Sequence, residues 1–169
     1  MSESISRSAK KVRNPALQII LFEPEIPANT GNIARLCAAA ELPLHLIHPL
    51  GFKTDDRNLK RAGLDYWSEV DVTEHENFLA FSDFWKKLNP APLPILALSA
   101  KAEMNYNKVT GIEPGFGLIF GPETRGLPES LLDRYPACTV PMWGKVRSLN
   151  LSTTVGIVAY HFLQQLKIF

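Results

Sequence analysis

Three stretches of this chain gather residue types that can do chemistry, and each follows an apolar run. Glu25-Ile26-Pro27-Ala28-Asn29-Thr30-Gly31-Asn32-Ile33-Ala34-Arg35 comes after the run Leu17–Phe22. Leu118-Ile119-Phe120-Gly121-Pro122-Glu123-Thr124-Arg125-Gly126-Leu127 is an apolar strand entering a glycine-bounded loop. Pro141-Met142-Trp143-Gly144-Lys145-Val146-Arg147-Ser148-Leu149-Asn150-Leu151-Ser152 is a second loop, entering a helix. Glycine and proline force tight loops that present backbone N–H and C=O groups to a ligand. Two such loops at the ends of adjacent strands are how an α/β sheet builds a small-molecule pocket.

The familiar phosphate fingerprints do not fit. Gly121 to Gly126 has the G-x-x-x-x-G spacing of a P-loop, but Leu127 and Pro128 stand where Lys and Ser/Thr must reach the phosphates and magnesium. Pro122 also removes a cradle N–H. A dinucleotide G-x-G-x-x-G is missing, since Phe120 follows Gly115 and Gly117 where the third glycine belongs. Neither G-x-S-x-G nor H-E-x-x-H occurs. On these residues alone the pocket is nucleotide-sized and unassigned.

In the first stretch, Asn29, Asn32 and Arg35 are three apart and share one stripe at the start of a helix. Capping by Asn29 or Thr30 accounts for one asparagine. It leaves the second asparagine, and an arginine near the positive helix end, unexplained. An arginine beside free helix N–H groups suits an anion such as phosphate.

Alternating elements position these stretches. Leu17–Phe22 reads as a buried strand, 29–40 as an alanine-rich helix, Leu44–Ile47 as a strand and 59–63 as a short helix. Phe78, Phe81, Phe84, Trp85 and Leu88 recur at helical spacing within 76–88, a stripe that belongs to a core. Further strands are expected over 94–98, 117–120 and 138–140, a short helix over 128–132 and a long one over 149–166. This alternation predicts an α/β domain, a mostly parallel sheet flanked by helices. Residues 15–169 read as one domain, after a tail over 1–14 expected to be disordered. That tail carries Arg7, Lys10, Lys11 and Arg13 and is either a solvated extension or a basic arm for nucleic acid.

With 18 Lys and Arg against 17 Asp and Glu, the chain of 169 residues has net charge +1, so a nucleic-acid partner requires local clustering. Lys53, Arg57, Lys60 and Arg61 form one cluster, diluted by Asp55 and Asp56; a solvated face with internal ion pairs is the other reading. Cys37 and Cys138 are far apart and outside any C-x-x-C pattern, so buried free thiols in a reducing cytoplasm are expected and no metal site is. There is no run of membrane-spanning length, and the polar first fourteen residues, with no apolar stretch, are not expected to act as a secretory signal.

N-x-x-N-x-x-R at 29–35, F-G-P-E-x-x-G-L at 120–127 and S-L-N-L-S at 148–152 closely resemble the SPOUT superfamily of RNA 2′-O-ribose methyltransferases. Glu23-Pro24-Glu25-Ile26-Pro27, Arg61-Ala62-Gly63-Leu64-Asp65-Tyr66 and Gly121–Pro128 are similar to the small bacterial enzymes that methylate the wobble nucleotide of tRNA. The likeness spans Leu17 to Leu166. It implies a C-terminal trefoil knot, which general topology rules argue against. It implies S-adenosylmethionine as cofactor, S-adenosylhomocysteine as product and no metal. It also implies methyl transfer to the ribose 2′-hydroxyl of a wobble cytidine or uridine in the anticodon stem-loop. A same-fold ribosomal RNA methyltransferase and a non-catalytic RNA-binding protein are the alternatives.

By motif, the resemblance puts Leu98, Gly121, Val140, Met142, Ser148, Leu149 and Asn150 on the cofactor. Arg35, Asn32 and Ser152 fall at the reacting centre, with Arg35 gripping phosphate or acting as a phosphate-assisted base. Asn29, Lys53, Arg57, Arg61, Arg147 and Tyr160 fall on the RNA. Glu123 and Arg125 could equally form a structural ion pair. The expected working unit is a cytoplasmic homodimer with a composite active site. The segment Trp143–Arg147 departs from the subgroup pattern and adds two cations.

Overall fold

A strand with no polar alternation must be covered on both faces, and Leu17–Phe22 (β2) is: all six of its residues are buried, in the middle of the sheet. The computed structural model describes residues 5–6, 15–54, 66–88, 91 and 93–169. Around β2 lie Ile5–Ser6 (β1), Leu44–Ile47 (β3), Val72–His75 (β4), Ile95–Leu98 (β5), Phe116–Phe120 (β6) and Ala137–Cys138 (β7). Their order in the sheet is β1-β4-β3-β2-β6-β5-β7. Every pairing is parallel except β1 with β4. The mostly parallel α/β architecture expected from the alternation of elements is the one observed.

The helices Pro27–Ala40 (α1), Phe78–Leu88 (α2), Glu129–Leu132 (α3) and Leu151–Gln165 (α4) cover the two faces. Ile33, Ala34 and Cys37 of α1 and Val155, Val158, Ala159 and Phe162 of α4 pack on Ile19, Leu21, Leu46 and Leu118. Phe81 and Trp85 of α2 and Leu131 of α3 pack on Ile20, Ile47 and Ile119 from the other side. Consecutive strand residues thus feed opposite cores, as the two-residue period requires. Position 117 of β6 takes glycine because a Cβ there would come within 2.7 Å of Ile20 Cδ1 and 2.8 Å of the Trp85 ring.

Several boundaries differ from the sequence expectation for local reasons. Helix α1 begins at Pro27, which needs no helical N–H partner at the first position. Helix α2 begins at Phe78 because Asn77 Oδ1 accepts the N–H of Ala80 at 2.9 Å. Helix α4 begins at Leu151 because Asn150 caps it. Strand β7 stops at Cys138. Nothing in the apolar periodicity signals β4, whose Thr73, Glu74 and His75 are polar and whose burial comes from cross-strand partners. Ile5–Ser6, within the basic tail, pair along the free edge of β4. The short helix expected over 59–63 lies outside the described residues.

His75 ends a chain of three buried polar groups, with Gln18 of β2 and His45 of β3, across the α2 side of the sheet. Gln18 Nε2 donates to the Gly115 carbonyl at 3.0 Å, which turns Gln18 Oε1 toward His45 Nε2 at 3.0 Å. His45 therefore carries its proton on Nε2 and accepts at Nδ1 from His75 Nε2, 3.1 Å away. Phe81 and Phe84 pack against both imidazoles, and Trp85 against His45. Burial, and then the neighbouring imidazole, push His45 down to about 3; burial, and then His48, push His75 down to about 4.

Both values lie below the ordinary 6.5. As pH falls below that point the unfolded chain takes up protons that the folded chain refuses, so stability falls with pH. Each group contributes roughly 1.4 kcal/mol per pH unit across its window. Thermal denaturation should show Tm dropping between pH 6.5 and 5, above most carboxylate titration, and a flatter slope in a His45→Gln, His75→Gln variant. A flat wild-type profile over that range would contradict the neutral chain.

Candidate active site at the carboxyl ends of the strands

Strand order reverses between β2 and β6: the chain lays β3 and β4 on one side of β2, then returns to place β6 and β5 on the other. Ligands of open α/β sheets bind in the crevice beyond such a switch point. Here the loops after β2 and β6 are stitched together. Glu123 accepts the N–H of Glu25 at 2.8 Å and of Ile26 at 3.2 Å, and the side-chain amide of Asn29 at 3.0 Å. In return Glu25 accepts the backbone N–H of Thr124 at 3.0 Å and its hydroxyl at 2.7 Å. The Thr124 hydroxyl, then its N–H, and less strongly the Arg125 guanidinium hold the Glu25 carboxyl below the usual carboxylate range.

The third stretch joins through Asn29. Asn150 Nδ2 donates to Asn29 Oδ1 at 2.9 Å, while Asn150 Oδ1 accepts from the N–H of Ser152 at 2.9 Å, its hydroxyl at 2.6 Å and the N–H of Thr153 at 3.3 Å. The cap expected at Asn29 or Thr30 is instead at Ile26, with no side-chain cap of its own. At the start of α1 the N–H groups of Glu25 and Ile26 are already taken by the Glu123 carboxylate. The Glu123–Arg125 pair considered from sequence is not formed; Arg125 bonds Glu23 at 2.6 Å and lies 3.8 Å from Glu25.

A cavity of about 470 Å³ opens between these loops. Leu98, Gly121, Val140, Met142, Ser148, Leu149 and Asn150, the residues expected at a cofactor, all line it, together with Asn29. Gly121 admits no side chain, because a Cβ would be driven into Leu127 N and the Gly126 carbonyl carbon. Gly126 takes φ of +70°, and its N–H returns to the Pro122 carbonyl at 2.9 Å, closing the loop on itself. Ser99, Lys101 and Thr139 also line the cavity. No motif marks them, and the signal that could have found Ser99 and Lys101 is their place directly after β5, where strand-end residues meet ligands. Cys138 is buried beside them with its thiol pushed up to about 12 by burial, and Cys37 is buried too.

The reacting-centre candidates sit outside the cavity lining. Asn32 and Arg35 are exposed on α1, and the Arg35 guanidinium stacks over the Tyr66 ring at 5.1 Å. Ser152 is tied to the Asn150 cap. Lys53 and Arg147 are exposed; Tyr160 is 46% exposed on α4, against Phe169. Arg57 and Arg61 lie outside the described residues. Among the described residues no group of His, Cys, Asp and Glu could hold a metal ion, and no helix is long and apolar enough to cross a membrane.

This fold recurs in a SpoU methyltransferase from Streptomyces viridochromogenes in complex with the cofactor AdoMet. It shares a TM-score of 0.78 at 19% identity, over 92% of this chain and 59% of that one. The pattern of the SpoU rRNA Methylase family matches residues 16–160, and the chain belongs to that family. It is 47% identical over 153 residues to a tRNA (cytidine(34)-2′-O)-methyltransferase of Yersinia pestis, covering 89% of this chain and 94% of that protein. A structure solved for insights into the 2-OH methylation of C/U34 on tRNA matches with TM-score 0.83 and 46% identity, over 90% of this chain and 97% of that chain.

Removing the Glu123 carboxylate strands two peptide N–H groups and an amide, whereas removing Arg125 breaks only exposed ion pairs. Glu123→Ala is expected to cost about 1–3 kcal/mol, a Tm loss of roughly 2–12 °C for a domain of this size. Arg125→Ala should cost at most about 1 kcal/mol. Differential scanning calorimetry of the two variants decides; equal losses would contradict the assignment.

Proposed function

We propose that this chain transfers a methyl group from S-adenosylmethionine to the ribose 2′-hydroxyl of the wobble cytidine or uridine of tRNA. The observation that carries the reading is the cavity at the switch point, walled by all seven motif residues and by Asn29 of the helix that bears Arg35. Its volume is that of a nucleoside-sized ligand site. Leu98, Val140 and Met142 offer apolar faces for an adenine, and the Gly121 and Ser148–Asn150 loops offer backbone polar groups for its edge and the ribose. Bound there, S-adenosylmethionine supplies an activated methyl group.

The protein's own residues then have to orient and deprotonate the hydroxyl. Arg35 stays protonated and is suited to a two-pronged grip on the substrate phosphate rather than to proton removal on its own. Tyr66 stacks on its guanidinium and restricts the plane of that fork. Arg35 lies six positions after Asn29, about 9 Å along the helix at 1.5 Å per residue. The Glu123–Asn29–Asn150 bonds therefore fix Arg35 relative to the cavity. Asn32 and Ser152 flank the ribose in this reading, and Lys53 and Arg147 meet the anticodon stem-loop.

We also infer a homodimer with a composite site. Ile157, Tyr160, Ile168 and Phe169 leave an exposed apolar strip on and after α4, beside α1, which a second copy would cover. A trefoil knot between β6 and α4 fits the path of the chain, which passes β5 to form β7 and then recrosses the sheet to pack α4 on α1. The cytoplasm is the proposed setting, a reducing compartment that suits two buried free thiols.

The test is methyl transfer to tRNA read by nucleoside mass spectrometry, with cofactor affinity measured separately by calorimetry in chelator. Wild type should yield 2′-O-methylcytidine or 2′-O-methyluridine at the wobble position. Arg35→Ala and Arg35→Lys should each lose on the order of 100-fold in rate, the scale of lost positioning, with S-adenosylmethionine affinity unchanged. Retained activity in Arg35→Lys would refute the two-pronged grip, and methylation elsewhere would refute the substrate.

A further inference from the structure

Trp143 is 92% exposed, the most exposed large apolar side chain among the described residues, and Val146 beside it is 63% exposed. An indole normally buries most of its surface or spends it on a partner. Among the described residues no aromatic ring or cation stacks on Trp143, and no carboxylate pairs with Lys145 or Arg147, both exposed. The loop stands clear of the body: a Cβ at Gly144 would meet nothing within 4 Å. Yet it is anchored at both ends in the cavity wall, by Met142 and Ser148.

We infer that Trp143 is a stacking platform for a nucleobase next to the nucleotide being methylated, with Lys145 and Arg147 holding the backbone phosphates on either side. The inference rests on the RNA substrate proposed above and adds the residues that seat its single-stranded loop. An exposed aromatic ring with interleaved cations fits an unpaired base and its phosphates. A second copy of this chain is the poorer occupant: a two-fold contact centred here would oppose the Lys145 and Arg147 pairs, whereas the apolar strip on and after α4 carries a single Lys, Lys167, and no Arg. The base lies outside the cofactor cavity, so loss of the ring acts on RNA affinity and leaves cofactor affinity alone.

The experiment measures binding of anticodon stem-loop RNAs to wild type, Trp143→Ala and Trp143→Phe by fluorescence anisotropy. The RNAs are intact or abasic at the nucleotide immediately 5′ or 3′ of the wobble position. Trp143→Ala should weaken binding of intact RNA by about 5- to 150-fold, the worth of stacking one base, while Trp143→Phe stays within about threefold of wild type. One abasic RNA should weaken wild type by the same factor and leave Trp143→Ala unaffected, and calorimetry should give all three proteins the same S-adenosylmethionine affinity. Wild-type affinity in Trp143→Ala, or equal losses by both proteins on both abasic RNAs, would overturn the platform. So would a smaller particle for Trp143→Ala by sedimentation, which would assign the ring to a contact between copies. Wild type that binds none of the RNAs would instead overturn the proposed substrate.

Discussion

One carboxylate organises the site. Glu123 sits where the loops after β2 and β6 meet and accepts from two peptide N–H groups and one amide. Those peptide groups just precede α1, where partial positive charge gathers and a negative group is favoured. The bond to Asn29 carries the constraint further, because an amide can donate to Glu123 through nitrogen and accept from Asn150 through oxygen. An aspartate at position 29 could not donate, and a serine is too short to bridge both partners. Asn29 thus serves as a relay between two loops rather than as the helix cap its position suggests.

The parallel sheet makes this arrangement possible. Because β2 and β6 are neighbours that run the same way, their carboxyl ends, and the loops that follow, open on the same edge. Gly121 lets the β6 loop fold back on Leu127 with no room for a side chain, and this presents Glu123 to β2. On the helical side, Asn150 both starts α4 and holds Asn29, so the end of the β7 loop is fixed by the same bonds that fix α1. The cavity walls and the Arg35 helix are therefore set by one hydrogen-bonded unit rather than by separate contacts.

How much of this was legible in the sequence follows from the range of each interaction. Strands β2, β3, β5 and β6 were readable because burial on both faces demands continuous apolar runs, and α2 because its aromatic stripe keeps helical period. Strand β4 was not, since it is buried through a histidine chain that links residues far apart in sequence. The partners of Glu123 stand 94 to 98 residues away, so local pattern could propose an ion pair with Arg125 but not the actual bonds to Glu25, Ile26 and Asn29. Leu98, Val140 and Met142 look like any core residues; only motif resemblance singled them out, and the fold puts all three on the cavity. Arg35 was conspicuous as a cation on a helix start, but its stacking partner Tyr66 was not.

The relay is tested most directly by a double-mutant cycle on single-turnover methyl transfer. Asn29→Asp sets two carboxylates face to face where an amide now donates at 3.0 Å. Adding Glu123→Gln gives up the Ile26 N–H bond to the same oxygen, but it restores a hydrogen bond to residue 29 with its direction reversed and leaves the aspartate able to accept from Asn150. If the Glu123–Asn29–Asn150 unit fixes the Arg35 helix against the cavity, Asn29→Asp alone should slow transfer on the order of 10-fold, and the double variant should recover part of that loss. Losses that simply multiply in the double variant would contradict it.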